Sequence, residues 1–265
     1  MKGLKSLWLA AVLALLAGFL HAAEPQKVRT PFIDNWGQIP LEELARQAAT
    51  FPGVFYLQGN ESQKVIALTF DDGPSQFTPA LLDVLKKHQV KATFFVLGKS
   101  MEQSPELVKR AHAEGHTLGN HSWDHPNLSE MSGEAYWTKQ LQPTQDMFQK
   151  VLGFKPSLMR PPYGFLTDAQ IKGIDGHGMK AILWSVASDD WYLTHTMQNA
   201  AAADAIAGQV VKYAHPGAIV LAHDAGGRTR QPTIEATDRY IAELKKQGYR
   251  FVTVDQLLGV KPTLN

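Results

Sequence analysis

Two adjacent aspartates at the end of an apolar run are the first residues of this chain that could do chemistry. Asp71 and Asp72 close the run KVIALTF and precede a Gly-Pro turn. Neighbouring side chains of a strand point to opposite faces, so we expect the two carboxylates to have different environments and different roles. Capping of the following turn is the alternative, but turn chemistry accounts for only one of the two aspartates.

A pair of histidines could supply a metal for one of these acids. His121 and His125 stand four residues apart in HSWDH and could converge on one cation if the segment is helical or tightly turned. Two imidazoles and one carboxylate leave coordination positions open, as in catalytic sites, and they suit zinc or a similar transition metal. The other aspartate, not bound to the metal, could then accept a proton from the attacking water. Solvated surface histidines remain the alternative.

The turn RPPYG adds a fixed cation and a directed backbone N–H group. Its two prolines restrict the backbone, so the N–H of Tyr163 has a defined direction and could bind an oxyanion. The guanidinium of Arg160 could hold a carboxylate through a bidentate pair. A stiff surface turn with an exposed arginine is the alternative interpretation.

His223, in VLAHD, stands at the end of another apolar run and is a candidate general acid. A neighbouring carboxylate would orient the imidazole and raise its pKa, and both Asp190 and Asp224 are available. A buried histidine bonded to the backbone is the alternative. The sequence has no G-x-S-x-G elbow, no cysteine and no G-x-x-x-x-G-K-[ST] loop, which leaves metal-assisted hydrolysis by water as the favoured chemistry.

The elements that must position these residues follow a strand-helix alternation from about residue 64 onward. Strands that are apolar throughout, separated by amphipathic helices, favour a parallel sheet covered by helices, and about seven such units favour an α/β barrel over an open sheet. The carboxyl ends of parallel strands open onto one face, so polar residues at those ends are expected around one mouth. They are Asp71-Asp72, Asn120-His121, Arg160, Asp189-Asp190-Trp191 and His223-Asp224.

Length, charge and composition set the broader expectations. The 265 residues suit one large domain, and a net charge of +1 provides no basic field for nucleic-acid binding. Residues 1–23 have the order of a secretory signal, residues 24–63 are expected to be a leader that packs on the outside of the barrel, and residues 64–265 would form the catalytic domain. The absence of cysteine leaves neither a disulfide nor a lipid-attachment site.

Five motifs in this order resemble the polysaccharide deacetylases, carbohydrate esterase family 4, also described as the nodulation-deacetylase homology domain. They are TFDDGP, HSWDHP, RPPYG, the segment Trp184–Trp191 and VLAHD, and the resemblance runs from about Lys64 to Val254. It implies a distorted (β/α)7-8 barrel with parallel strands and outer helices. It also implies a hydrolase acting on carbon–nitrogen bonds other than peptide bonds, which removes N-acetyl groups from N-acetylglucosamine polymers such as peptidoglycan or chitin-type glycans. An O-acetyl esterase on xylan and a catalytically silent carbohydrate-binding module are the alternatives.

The resemblance also assigns roles to the acids and the histidine pair. Asp71 matches the family's catalytic base, and Arg160 matches the residue that orients this base. Asp72, His121 and His125 match the metal ligands. The implied cofactor is a divalent transition metal, zinc in the first place, with cobalt or nickel as other possibilities.

The remaining matches concern the oxyanion, the general acid and the acetyl group. The Tyr163 backbone N–H would bind the oxyanion and contribute to substrate binding. His223 would be the general acid with Asp190 as its partner. Trp191 and Leu221 would line the slot for the acetyl methyl group.

The resemblance departs from the family pattern in one motif. Many relatives carry an additional acid three residues after the tryptophan that matches Trp184, and this chain has Ala187 there. The expected partner is a carbohydrate polymer or oligosaccharide, with no nucleic acid and no stable membrane anchor after signal cleavage. We expect a monomer that is exported to the periplasm or secreted.

Overall fold

The computed structural model describes residues 41–264, in which ten α-helices and eleven strands alternate. The helices are α1 Leu41–Thr50, α2 Thr78–Lys87, α3 Gly98–Gln103, α4 Pro105–Ala113, α5 Gln142–Leu152, α6 Asp168–Gly176, α7 Asp190–Thr196, α8 Asn199–Tyr213, α9 Gln231–Lys246 and α10 Val254–Leu258. The strands are β1 Phe55–Tyr56, β2 Val65–Asp71, β3 Thr93–Val96, β4 Thr117–Asn120, β5 Lys155–Pro156, β6 Leu158–Met159, β7 Lys180–Ile182, β8 Val186–Ala187, β9 Ile219–His223, β10 Arg250–Val252 and β11 Thr263–Leu264. The predicted signal, residues 1–23, lies outside the described residues.

Nine of these strands form one parallel sheet that curls on itself. Its order is β1-β7-β6-β4-β3-β2-β9-β8, with β10 paired to β2. β7 pairs with β6, and β8 pairs with β9 at the other end of the path. Because β7 and β8 belong to one stretch of chain, residues 180–187, the two ends of the sheet meet there. This confirms the expected distorted barrel of parallel strands with helices outside.

The central strand β2 is covered on both of its sides. All seven of its residues are buried, as expected for a parallel strand between the barrel interior and outer helices. α2 covers one side with Leu81, Leu82 and Leu85. Leu68 and Phe70 of β2 lie in the same apolar cluster as these leucines. Burial of these side chains places the carboxyl end of β2, and therefore Asp71, at the mouth of the barrel.

The apolar run KAILWSV predicts a single strand, but the structure divides it into β7 and β8. The N–H of Leu183 donates to Tyr56 O at 2.8 Å, whereas the N–H of Ser185 donates to Ile219 O at 3.1 Å. The chain therefore changes neighbours between the two residues. Apolarity alone could not indicate such a change, since both halves are buried.

The described part of the leader takes part in the sheet. The sequence also predicts a short helix near residues 41–49, and α1 lies there. β1 pairs with β7, and Phe55 and Leu57 are fully buried, so this part adds a strand in addition to packing on the barrel. The division of the chain at residue 63 stays a prediction. Within residues 41–264, no helix combines the length and the apolarity needed to cross a membrane.

The pair Thr78-Pro79 predicts an N-cap followed by a first-turn proline, but Thr78 is instead the first residue of α2 and follows Phe77 at the N-cap. The Thr78 hydroxyl accepts the N–H of Ser75 at 2.8 Å and donates to Asp224 Oδ2. The residue therefore connects the start of α2 to the end of β9. Its role is tertiary, which a local capping pattern could not reveal.

Candidate active site

An open pocket of about 230 Å³ lies at the carboxyl ends of the strands. Eight of the ten sequence-predicted site residues line it, and the other two, Arg160 and Asp190, are fully buried and bonded to lining residues. Pro161, Trp184 and Arg230 also line it and were not assigned a role from sequence. The predicted residues that line it are Asp71, Asp72, His121, His125, Tyr163, Trp191, Leu221 and His223.

Asp71 forms a buried ion pair with Arg160. The Nη1 of Arg160 donates to Asp71 Oδ1 at 2.8 Å, and the two residues are 0% and 2% exposed. The guanidinium also donates to Thr69 Oγ1, Ile182 O and Leu183 O at 2.7–2.9 Å. Only one nitrogen of the arginine contacts Asp71, so the pair is not bidentate. The guanidinium fixes Asp71 Oδ1 and leaves Asp71 Oδ2 on the side of His121, 3.8 Å from its Nε2.

Asp72 does not continue the strand. The expectation that the side chains of Asp71 and Asp72 point to opposite faces of one strand is therefore wrong. Its φ is 75°, a left-handed conformation that turns the chain after Asp71. As a result both carboxylates approach His121, at 3.8 Å from Asp71 and 3.4 Å from Asp72. They still have different partners, because Asp71 is held by Arg160 whereas Asp72 lies between two imidazoles.

Asp72, His121 and His125 have the arrangement of a metal site. Their candidate ligand atoms lie within 4.8 Å of one another, and Asp72 Oδ1 is 3.4 Å from the Nε2 atom of each histidine. Asp72 Oδ1 is buried and has no hydrogen-bond partner among residues 41–264. Two ligands at about 2.0–2.1 Å from a tetrahedral ion are about 3.4 Å apart, so the spacing suits such an ion better than a hydrogen bond. The residues therefore fit a divalent cation.

The pKa shifts of Asp72 and His125 and the hydrogen bond of His121 also favour a cation. Burial lowers the pKa of His125 to about 4, assisted by His121, so this imidazole is neutral and its lone pair is available near neutral pH. Burial alone would raise the pKa of Asp72, but the imidazoles of His121, His223 and His125 lower it well below the usual range. The Nδ1 atom of His121 lies 2.8 Å from Arg160 O, so an Nδ1–H donor leaves Nε2 free to bind.

His223 is paired with Asp190. The distance from His223 Nδ1 to Asp190 Oδ1 is 2.7 Å, and the backbone N–H of His223 donates to Asp190 Oδ2 at 2.9 Å. Thr233 Oγ1 donates to Asp190 Oδ2 at 2.9 Å, and Arg230 Nη1 lies 3.5 Å from it. Burial opposes the charge of His223, but Asp190 overcomes this effect and raises the pKa of the imidazole. The pair therefore favours a protonated histidine at the pocket.

Asp224, the other carboxylate beside His223 in sequence, faces away from it. Its Oδ2 accepts the hydroxyl of Thr78, and its carboxyl group packs on Gly73. A Cβ atom at position 73 would lie 2.3–2.6 Å from the Asp224 carboxyl atoms, which explains the glycine after the two aspartates. Burial raises the pKa of Asp224 to about 7. Asp190 is thus the geometric partner of His223.

The walls of the pocket come from the fourth and fifth motifs and from RPPYG. Tyr163 has a φ of 60° and is 55% exposed, and its ring packs edge-on against His125 at a centroid distance of 4.6 Å. Trp191 and Leu221 also line the pocket. Ala187 pairs in register with Leu221, so the position of the family's additional acid lies beside this wall.

Of the lining residues to which the sequence assigned no role, Trp184 had a sequence signal and Arg230 had none. Trp184 begins the fourth motif, and a Cβ atom on Gly164 would lie 3.1 Å from its ring. Arg230 lies in the segment HDAGGRTRQPT, where its Nε donates to Ala225 O at 2.6 Å. Nothing in that segment indicated that its guanidinium would approach Asp190.

Comparison with known proteins gives consistent matches. A family model described as "Polysaccharide deacetylase" matches residues 58–182. The chain is 36% identical to a peptidoglycan-N-acetylglucosamine deacetylase of Bacillus cereus, over 90% of this chain and 82% of that protein. It is 41% identical to the peptidoglycan-N-acetylglucosamine deacetylase PgdA of Listeria monocytogenes, over 91% of this chain but only 48% of that protein.

The fold agrees with these matches. A crystal structure of a peptidoglycan N-acetylglucosamine deacetylase, in complex with a naphthyl-substituted N-oxidanyl-benzamide, superposes with a TM-score of 0.74. It is 36% identical to this chain, and the match covers 79% of this chain and 94% of that one. A relative of this identity and coverage shares the fold and the family. The chain therefore belongs to the polysaccharide deacetylase family, the metal-dependent hydrolases expected from its five motifs.

Proposed function

We propose that this protein removes N-acetyl groups from N-acetylglucosamine residues of peptidoglycan or a chitin-type glycan. The observation that carries the proposal is the separation of three functions in one pocket. Asp72, His121 and His125 form a cation site, Asp71 is a carboxylate outside that set, and His223 is an imidazole paired with its own acid. The compared relatives are named as deacetylases of N-acetylated cell-wall sugars, which supports the same substrate class.

Two acid–base groups would move the protons of the reaction. Asp72, His121 and His125 would hold a divalent cation, which would supply a Lewis acid for the acetyl carbonyl and for the attacking water. Asp71, fixed by Arg160, accepts the proton of the attacking water. His223, kept protonated by Asp190, donates a proton to the departing amine, which leaves poorly unless it is protonated. The products are acetate and a free amino sugar.

Backbone and apolar groups would position the acetyl group between these residues. The Tyr163 N–H belongs to a fixed left-handed turn between Pro162 and Gly164 and stabilises the oxyanion. Trp191 and Leu221 contact the acetyl methyl group. Both line the same pocket as Asp71, so the methyl and the carbonyl can be bound together.

Zinc is the cofactor we propose, because two imidazoles and one carboxylate with open positions are a common catalytic zinc set. Cobalt or nickel can occupy the same donors. We also propose export to the periplasm or the cell exterior, since residues 1–23 read as a signal and peptidoglycan lies outside the cytoplasm. The partner is then the glycan itself, bound by a monomer.

An acetate-release assay tests the function directly. Purified protein is offered chito-oligosaccharides, peptidoglycan and acetylated xylan, with and without a chelator, and zinc is then restored. We expect release from the N-acetylated glycans, loss with chelator and recovery with zinc. Release from xylan alone would identify an O-acetyl esterase, and no release from any substrate would indicate a silent carbohydrate-binding module. Either result refutes the proposal.

A further inference from the structure

The segment that carries the two candidate histidine ligands has an unusual backbone. It follows β4 as residues 121–125, and it is neither helix nor strand. Ser122 and His125 have φ values of 73° and 67°, in the left-handed region that residues other than glycine rarely adopt. Such residues cost about 1–3 kcal/mol each unless the surroundings hold them. The position of His125 relative to Asp72 therefore depends on what holds this turn.

Four consecutive N–H groups of the segment donate to side chains. The N–H of Ser122 donates to Asn120 Oδ1 at 2.9 Å, and the N–H of His125 donates to Ser122 Oγ at 3.1 Å. These two acceptors are local. The N–H groups of Trp123 and Asp124 both donate to Gln140 Oε1, at 2.9 and 3.3 Å. The acceptor for the middle of the turn thus comes from a distant part of the chain.

Gln140 contacts the turn with both ends of its amide. Its Nε2 donates to Asp124 Oδ1 at 2.9 Å, in addition to the two bonds at Oε1. Gln140 is 8% exposed and lies on a π-helical turn, Trp137–Leu141, immediately before α5. Single π-helical turns are rare and frequently occur at functional sites.

The same π-helical turn holds the residue before the histidines. Asn120 Nδ2 donates to Leu141 O at 2.9 Å, and Thr144 Oγ1 donates to Gln140 O at 2.9 Å. On the opposite side of the segment, the N–H groups of Gly98 and Lys99 donate to Ser122 O and Trp123 O, both at 3.0 Å. The turn is therefore clamped between α3, which binds its carbonyl groups, and Gln140, which binds its N–H groups.

We propose that Gln140 is a positioning residue for the metal site, which holds residues 121–125 in the geometry that brings His121 and His125 together on one cation. It touches neither the cation ligands nor the pocket, and it acts through the backbone of Trp123 and Asp124. The inference rests on the proposed cation site at Asp72, His121 and His125. Side chains that orient metal ligands commonly change metal affinity by about 10- to 100-fold when they are replaced.

The test compares Gln140→Met with a variant that keeps the hydrogen bonds between position 140 and residues 123 and 124. Methionine preserves length and apolar volume but removes the acceptor and the donor, so we expect the Zn²⁺ dissociation constant to rise about tenfold or more. In Gln140→Glu combined with Asp124→Asn, the acceptor remains at position 140 and the amide donor moves to position 124. This double variant should bind Zn²⁺ nearly as tightly as the wild type. The constants are measured by competition with a chromophoric chelator.

Two controls separate an effect of Gln140 on the metal site from an effect on overall stability. Gln142→Met makes the same change at an exposed position two residues along and should leave the constant unchanged. Melting of the metal-free proteins reports the structural cost alone. Gln140→Met with a wild-type Zn²⁺ constant, whatever its melting temperature, overturns the inference, as does a double variant as weak as Gln140→Met. A wild-type protein that binds no Zn²⁺ would instead refute the proposed zinc site, whereas the acetate-release assay tests the proposed function.

Discussion

Replacement of Asp71 by asparagine separates the roles of the two adjacent acids. The amide keeps the volume and an oxygen that can accept from Arg160, but it removes the proposed base and the charge that neutralises a buried guanidinium. Breaking a buried ion pair costs about 3–5 kcal/mol. Arg160 retains its bonds to Thr69, Ile182 and Leu183, so we expect the lower end, about 3 kcal/mol.

The expected losses differ between catalysis, stability and metal binding. A positioned general base contributes about 10²- to 10⁴-fold, so the turnover of Asp71→Asn should fall by at least about 100-fold. At about 2–4 °C per kcal/mol for a chain of this size, the melting temperature should fall by about 6–12 °C. Zn²⁺ affinity should remain close to the wild-type value, because Asp71 lies outside the set of three ligands. Acetate release, calorimetry and chelator competition measure the three quantities.

Two results would refute this reasoning. Near-wild-type turnover by Asp71→Asn would exclude Asp71 as the base. Loss of Zn²⁺ in parallel with turnover would mean that Asp71 is a ligand and that the order of the two roles is wrong. Asp83→Asn is the matched control, since Asp83 is an exposed aspartate bonded to Arg110. It should change stability by less than about 0.5 kcal/mol.

Three further changes test other parts of the site. His125→Ala should lose both Zn²⁺ binding and turnover, because it removes one of three ligands, as measured by chelator competition and acetate release. Asp190→Asn removes the charge that raises the pKa of His223, so the alkaline limb of the kcat profile, where the acid loses its proton, should move to lower pH. Gly73→Ala places a Cβ against the Asp224 carboxyl group and should destabilise the protein by about 1–3 kcal/mol in urea, less so when Asp224→Ala accompanies it.

Each of these changes has an outcome that contradicts it. Retention of tight Zn²⁺ binding by His125→Ala would exclude it as a ligand, with His112→Ala, at an exposed position, as the control. Asp189→Asn alters the neighbouring acid, which is bonded to Gln209, and an equal shift of the alkaline limb there would show that the effect is not specific to Asp190. Fully additive costs of Gly73→Ala and Asp224→Ala would show that the two positions do not contact each other.

The sequence predicted which side chains lie at the site, because all strands of a parallel sheet run in the same direction. Apolar runs indicate strands, and polar residues at their carboxyl ends must lie at one mouth of a barrel. Asp71 and His223 are such residues, and both line the pocket. The order of the motifs also indicated the family, and the resemblance to that family assigned roles to these residues. The roles of these residues stay predictions until the variants above are measured.

The pairings within the site were not accessible in this way, because they depend on local backbone turns and on contacts between distant segments. Strand alternation predicted opposite faces for Asp71 and Asp72, but the left-handed conformation of Asp72 brings both near His121. Asp190 and Asp224 were equally available to His223 by sequence. Packing of Asp224 on Gly73 and Thr78 leaves Asp190 as the partner.

The sequence by itself determined the parallel α/β barrel, the family and the set of side chains able to do the chemistry, because strand periodicity and motif order are local properties of the chain. Only the tertiary structure decided which carboxylate meets which partner, and it alone revealed Gln140 beneath the histidine turn and Arg230 beside Asp190. Hydrogen bonds between segments far apart in sequence leave no periodic pattern. They appear only when the folded backbone brings a donor within about 3 Å of its acceptor.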